Sequence, residues 1–529
     1  MSLWNPTIPI ELGSRLELFL DDKMIEHTEG TYRRIHHPIA DEIVMTLNEE
    51  HEHTNNSGSY NSIIFDGEKY LFYYRANFWH PTEEEPVRNE NVILCVAIST
   101  DGIHFTRPQL NILKSGYNAV LDSTMTRDLV PDELNDICAS TTTVFYDENP
   151  ACPAEEKYKM LVTNERPPHG KANGIWLYIS ADGYHFTRKG GKFALPDGCG
   201  YDSANRAFYD HTIGKYRVYQ RQWRICGKDW GRTIVTHCTE DFVTFTDTHV
   251  LEYDAEFESF FQLGQNLYTN NVAPYFRAPH ILLGFPKRYV EWGPEPGVYV
   301  LPKDYDSRML SRPDLRRRTW RARHIEPRAG TAVTDTVLMT SRDGVHFKGF
   351  GDSYLMPPPQ DDSCNYGSAA IINGMMVTKS AMGHGAPDEL SFLVAEGIWN
   401  NADVRIRRYH TRIDGFVSMH FKAAGGSLYT PVFIFDGGRL ALNIECGAFG
   451  GIQVEIRDDK ERPYPGFGIT DALMITGNDH QMIARWRNKG SDLRELAGKP
   501  VELRIFARDC DLYSMQFIPY EPDPEIPEV

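Results

Sequence analysis

The chain has 529 residues, a net charge of −18, and 41% hydrophobic and 24% charged residues. These are globular values, with enough chain for a large core and more than one domain. The acidity counts against a nucleic-acid surface. The best basic stretch, RPDLRRRTWRAR at 312–323, reads as a solvated or internally paired loop.

The N-terminus, MSLWNPTIPIELGSRLELFLDD, shows no basic region followed by a long apolar run. The expectation is therefore a cytoplasmic protein with no membrane partner, a trimmed secreted form being the alternative. Residues 1–44 read as a strand segment that packs on the domain beginning near residue 45. Hairpin signals come next: SIIFDGEKYLFYYR at 62–75, TTVFYDENP with KYKMLVTNE at 142–165, RAFYDHTIGKYRVYQR at 206–221 and AAIINGMMVTKS at 369–380. Asp-Gly and Asn-Gly between strand-like runs favour tight hairpins, because both turn positions tolerate positive φ.

A second phrase recurs. Ser-x-Asp-Gly-x-His-Phe occurs at 99–105, 180–186 and 341–347, with a looser copy, HCTEDFVTF, at 237–245. Repetition of hairpin, link and hairpin predicts four-stranded antiparallel units set around an axis, a β-propeller. The units fall near 52–107, 135–188, 197–247, 257–348 and 360–410, which makes five blades. The fourth carries an insertion at roughly 291–333. The recurrent phrase is expected to be each blade's outer turn, with Phe packing between neighbours.

After about residue 411 short strands with polar turns predict a β-sandwich over 411–529, ending in a frayed Pro- and Glu-rich tail. Helical periodicity is scarce, and LRELAG at 493–498 is at most one turn. The nine cysteines are scattered singly with no CxxC, which points to reduced, mostly buried thiols rather than a disulfide framework or a zinc site. The expected architecture is all-β, with the propeller at 45–410.

A propeller gathers polar residues from the starts of its innermost strands at one mouth. The candidate acids there are Glu52, Asp136, Asp202 and Asp362. Asp202 is flanked by Tyr201, Ser203 and Asn205, which suit a carboxylate oriented beside a ligand. Glu52 lies between two histidines, but neighbours on an extended chain face opposite ways, so an acid/base role is favoured over metal binding. Arg277 and His280 interrupt an apolar, Pro-rich passage, and burying them calls for a partner or a cavity. Arg221 and Trp223 pose the same choice, and Glu389 opens a strand after a Gly-rich loop. Several carboxylates at an aromatic-lined mouth suit glycoside hydrolysis, one acid protonating the leaving oxygen and another acting as base or nucleophile.

The phrases LFLDDKMIE, RRIHHP, STDGIHFTRPQL, DSANRAFYD, YFRAPHILLGFPKRY, TSRDGVHF, RIDGFVSMHF and LAGKPVELRI run through nearly the whole chain. In them the chain resembles the five-bladed propeller glycosidases, the arabinanase, levansucrase and invertase superfamily. More narrowly, it is similar to uncharacterised bacterial proteins related to glycoside hydrolase family 32. The invertase motif Asn-Asp-Pro-Asn-Gly does not occur, and the matching region reads GSYNSIIFDG. Arg-Asp-Pro is absent as well. The resemblance thus implies the propeller and a carbohydrate ligand but carries over no catalytic triad.

The expected function is cleavage of a glycosidic bond, with Asp202 and Glu52 as the acid/base pair and Asp136 or Asp362 tuning the acid. Arg277, His280, Arg221, Asn205, Tyr201, Trp223 and Glu389 would contact substrate. No cofactor and no metal is expected, and a homo-oligomer is left open. The rival readings are a non-catalytic carbohydrate-binding propeller, a phosphorylase or lyase on the same fold, and a protein-interaction propeller.

Overall fold

The computed structural model describes residues 8–53, 60–78, 92–122, 125, 141–163, 174–193, 203–226, 229–291, 332–359, 367–398 and 403–523. Two compact units emerge. One comprises residues 38–378 and 390–410; the other joins the described residues up to His37 with 379–389 and the chain from Thr411 onward.

The larger unit is nearly all β and propeller-like. Four mostly antiparallel sheets follow one another along the chain. The first contains Ser62–Phe65, Tyr70–Phe78, Val92–Ser99 and Ala119–Leu121. The second is Thr143–Tyr146, Tyr158–Thr163, Ile175–Ser180 and Thr187–Phe193. The third is Arg206–Asp210, Lys215–Cys226, Asp229–Thr239 and Phe245–Val250. The fourth is built on Val272–Tyr275, Ala278–Gly284, Ala332–Ser341 and His346–Leu355. Another sheet joins Met376–Thr378, Glu389–Glu396 and Val404–Arg412 to Ile39–Leu47 from far earlier in the chain, with Val404 opposite Leu47 and His410 opposite Ile39.

The leading strands are linked in sequence. Val144 N–H donates to Ser62 Oγ at 3.3 Å, and Thr143 donates to the Asn205 carbonyl. Arg206 Nε donates to Val272 O at 2.9 Å, and Asn271 Nδ2 to Ile371 O at 2.6 Å. Ile63 N–H donates to Asn373 O at 2.7 Å, which returns the circuit to the first sheet. These bonds satisfy polar groups that burial would otherwise leave costly.

The repeated phrase folds alike each time. Asp101, Asp182 and Asp343 each accept from the backbone N–H groups two and three residues on. Each also contacts the Nδ1 of its own histidine at 2.7 Å. Burial opposes ionisation of Asp182, yet these donors hold its carboxyl well below the usual carboxylate range. Tyr73 Oη of the first sheet donates to Gly183 O of the second at 2.9 Å, and Tyr219 Oη of the third to Gly344 O of the fourth at 2.8 Å. Phe186 meets Tyr73 edge-on, and Phe347 meets Tyr219. The phrase is therefore a staple between neighbouring sheets. Gly183 has φ +79°, and a Cβ there would stand 2.7 Å from Tyr73 Oη. Gly183→Ala should cost about 2 kcal/mol, measured by denaturant unfolding, because it adds a left-handed side chain in an occupied space.

One element departs from the sequence expectation. Residues Ala255–Gln262 form an α-helix, capped by Asp254, which accepts from Phe257 N–H at 3.1 Å. Its Phe257 and Phe261 are buried.

In the smaller unit eight strands form one sheet, dominated by Arg439–Arg457 and Glu502–Ile518. Strands Glu17–Leu18, His27–Glu29 and Thr31–Ile35 join it, so the N-terminal segment pairs with C-terminal strands. Trp486, Phe435, Phe517 and Phe467 lie in its core. Residues 493–498 make a turn rather than a helix.

Candidate active site

The leading strands of the propeller-like unit begin with small polar residues. Asn61, Thr141, Thr142, Ser203, Asn205, Asn270 and Asn271 are all buried. Several bond to backbone: Asn61 Oδ1 accepts from Arg75 N–H at 3.1 Å, Asn205 Nδ2 donates to Ser203 O at 2.9 Å, and Asn270 Nδ2 donates to Ala204 O at 2.8 Å. Ser203 Oγ donates to Tyr268 O at 2.7 Å, fixing the residue after Asp202 in the chain against the fourth sheet. Tyr201, Asp202, Asp136 and Asp362 lie outside the described residues.

At this end the two middle strands of the third sheet run past the first. Arg206 pairs with Tyr219, whereas the hairpin continues through Arg221↔Ile234 and Trp223↔Arg232. Side chains two apart on one strand, and directly opposite across a pair, share a face. Arg221, Trp223 and Arg232 therefore project together. From the fourth sheet's side come Tyr268, Lys287 and Tyr289. The Arg232 guanidinium lies 4.5 Å from the Trp223 ring centroid, 5.0 Å from Tyr268 and 5.1 Å from Tyr289. The Arg221 guanidinium lies 5.3 Å from Trp223 and 5.6 Å from Tyr268, and Lys287 Nζ is 4.8 Å from Tyr268. Asn266 Oδ1 accepts from Arg232 N–H at 2.8 Å and holds the strand in place. The result is a wall of rings and cations in which Arg221, Tyr268, Lys287 and Tyr289 are buried and Trp223 and Arg232 are half-buried. Cation–π contacts of this kind gain strength as water is excluded.

Glu52 has a different setting. Its side chain is fully buried. Arg107 grips both oxygens, Nε to Oε1 at 2.6 Å and a terminal nitrogen to Oε2 at 2.7 Å. Tyr74 Oη donates to Oε1 at 2.5 Å and itself accepts from Asn118 Nδ2 at 2.8 Å. His51 Nε2 and Asn118 Oδ1 are 3.0 Å apart, and the His51 ring stacks on Tyr117. Burial pushes the Glu52 carboxyl up, but Arg107 and Tyr74 outweigh it and hold the group below its ordinary value. A carboxylate so paired stays ionised at neutral pH, the environment of an anchoring ion pair rather than of a proton donor.

Arg277 occupies the hairpin turn between Val272–Tyr275 and Ala278–Gly284. It sits at the opposite end of that sheet from Asn270 and Asn271, and His280 comes near the same turn. The structure does not bring this pair to the wall. Glu389 belongs to the smaller unit and accepts from Ser380 Oγ at 2.5 Å. Of the expected contacts, Arg221, Trp223 and Asn205 are drawn together at one end. Arg232, Tyr268, Lys287 and Tyr289 were not expected. The alternation in KRYVE after LLGFP was the available signal for Lys287 and Tyr289.

Fold and site together define a nearly all-β, propeller-like protein with an aromatic and cationic wall beside its leading strands. No protein-family model matches the sequence, and no curated protein matches it. Among solved structures, the chain is similar to an N-acetylgalactosamine deacetylase from F. plautii in complex with blood group B trisaccharide. That match has 12% identity and a TM-score of 0.39, covering 73% of this chain and 96% of that one. It is also similar to a structure from the GH130 family of mannoside phosphorylases, described as containing glycoside hydrolases that target β-1,2 mannosidic linkages in Candida mannan (12% identity, TM-score 0.39, 71% and 94% covered). A third is a family 117 glycoside hydrolase from the marine bacterium Zobellia galactanivorans (12% identity, TM-score 0.34, 72% and 90% covered).

Proposed function

We propose that this chain is a carbohydrate-active enzyme that cleaves a glycosidic bond at the mouth of a five-bladed propeller, and that its C-terminal strands form a β-sandwich. The closed circuit of hydrogen bonds between leading strands supports five blades, with the sheet completed by Ile39–Leu47 as the fifth. The observation that carries the function is the wall of Trp223, Tyr268 and Tyr289 with Arg221, Arg232 and Lys287. Trp223 and Arg232 keep exposed surface, a flat ring suited to a sugar face and a guanidinium suited to its hydroxyls or an anion, while the buried members hold them in place.

Asp202 immediately precedes in sequence Ser203, which bonds to Tyr268 of this wall, and takes the acid/base role. Its partner carboxylate is Asp136 or Asp362. Glu52 positions the structure through Arg107 and transfers no proton. The three cations favour a second reading, phosphorolysis, in which inorganic phosphate replaces water as the attacking group.

The test is a screen of aryl-glycosides and plant and microbial polysaccharides, with and without inorganic phosphate, reading sugar release. Turnover that requires phosphate selects the second reading. Neither turnover nor carbohydrate binding by calorimetry would sink both. On the substrate so found, Arg232→Ala should raise KM about tenfold or more through loss of a desolvated cation–π and hydrogen-bonding group, read from steady-state kinetics.

A further inference from the structure

Cys446 and Cys510 face each other as direct cross-strand partners on the two long strands of the smaller unit. Their sulfurs lie 2.9 Å apart, and both are free thiols. Directly opposed residues of an antiparallel pair have Cα separations of about 4.5–5.5 Å, inside the range that a disulfide spans. Forming the bond, about 2.0 Å long, needs a sulfur displacement within reach of small χ1 changes. We propose that Cys446 and Cys510 are the site of a reversible cross-strand disulfide, formed by exchange with a small-molecule disulfide.

The two thiols are not equivalent. Cys446 is partly exposed and flanked by exposed Glu445 and Gly447, whereas Cys510 is buried. Cys446 is held below the ordinary thiol value, first by its hydrogen bond with Cys510, although burial and the Asp509 and Asp511 carboxylates oppose this. Cys510 is pushed up by the same bond and by burial. This is the division between an attacking and a resolving cysteine. The Cys446 thiolate attacks one sulfur of the small disulfide and releases a thiolate, leaving a mixed disulfide. Cys510 then loses its proton and attacks Cys446 Sγ, which expels the second small thiolate. The protein loses two protons and two electrons. The small disulfide gains both and leaves as two thiols.

The bond would sit where the strand pairing breaks register, since residues 447–450 bulge out between Cys446↔Cys510 and Gly451↔Arg508. It would pin the pair at the edge of that bulge.

Full-length protein is equilibrated with oxidised or reduced glutathione, alkylated and peptide-mapped. Oxidation should lower the free-thiol count by two and yield a cross-linked peptide carrying Cys446 and Cys510, which reductant removes. Cys446→Ser should abolish the cross-link, and Cys95→Ser should keep it. Recovery of both cysteines as free thiols at the oxidised plateau would overturn the proposal. So would a stable mixed disulfide on Cys446 with Cys510 still free. The map of the unaltered protein decides the matter even if a variant fails to fold.

Discussion

Asp202→Asn should lower sugar release at least ~100-fold, the scale on which loss of a general acid or base acts. The substitution keeps the size and hydrogen-bonding reach of the side chain and removes only its ability to exchange a proton. Affinity for the same carbohydrate, measured by calorimetry, should change little, because the wall of Trp223, Tyr268 and Arg232 is intact. An effect on kcat with KM unmoved therefore separates chemistry from binding. If the unaltered protein binds but never turns over, the wall serves a carbohydrate-binding protein. If Asp202→Asn keeps full turnover, the acid lies elsewhere, and Asp136 and Asp362 are the next variants to make.

Arg107→Ala should be the most damaging structural change, about 3 kcal/mol by denaturant unfolding. It strips the guanidinium from a carboxylate with no exposure to solvent, leaving Tyr74 as its main side-chain donor. Glu52→Gln should cost less, since no charge is then left buried. The pH dependence has a definite sign. The folded-state value of Glu52 is depressed below 4.5, so its stabilisation is present above that value and is lost as pH falls through the folded one. The gap between wild type and Arg107→Ala should therefore narrow on acidification below about pH 4.5 and stay wide at neutral pH. A gap independent of pH would mean that the ion pair does not govern the site.

The repeated Ser-x-Asp-Gly-x-His-Phe turn was legible because its chemistry is local. Asp, Gly and His act within seven residues, and the Phe and Gly contacts to Tyr73 and Tyr219 arise from repetition. Arg221 and Trp223 were legible as charged and aromatic residues inside a strand-like run. Arg107 was not, because its partner Glu52 lies 55 residues away and nothing near either residue announces the pairing. For the same reason Glu52 read as an open acid. Arg277 misled because an arginine in an apolar passage looks buried, whereas it occupies a hairpin turn. The wall around Tyr268 depends on strand overhang, which is a matter of length and register rather than composition.

Ile39–Leu47 completes a sheet whose other strands end at Arg412. Its pairing partner follows more than 350 residues later in the chain. Until the two meet, its backbone amides and carbonyls have no ladder to join, and the unit cannot close on itself. Closure rests on contacts of very high sequence separation, so it should be a late and slow step of folding.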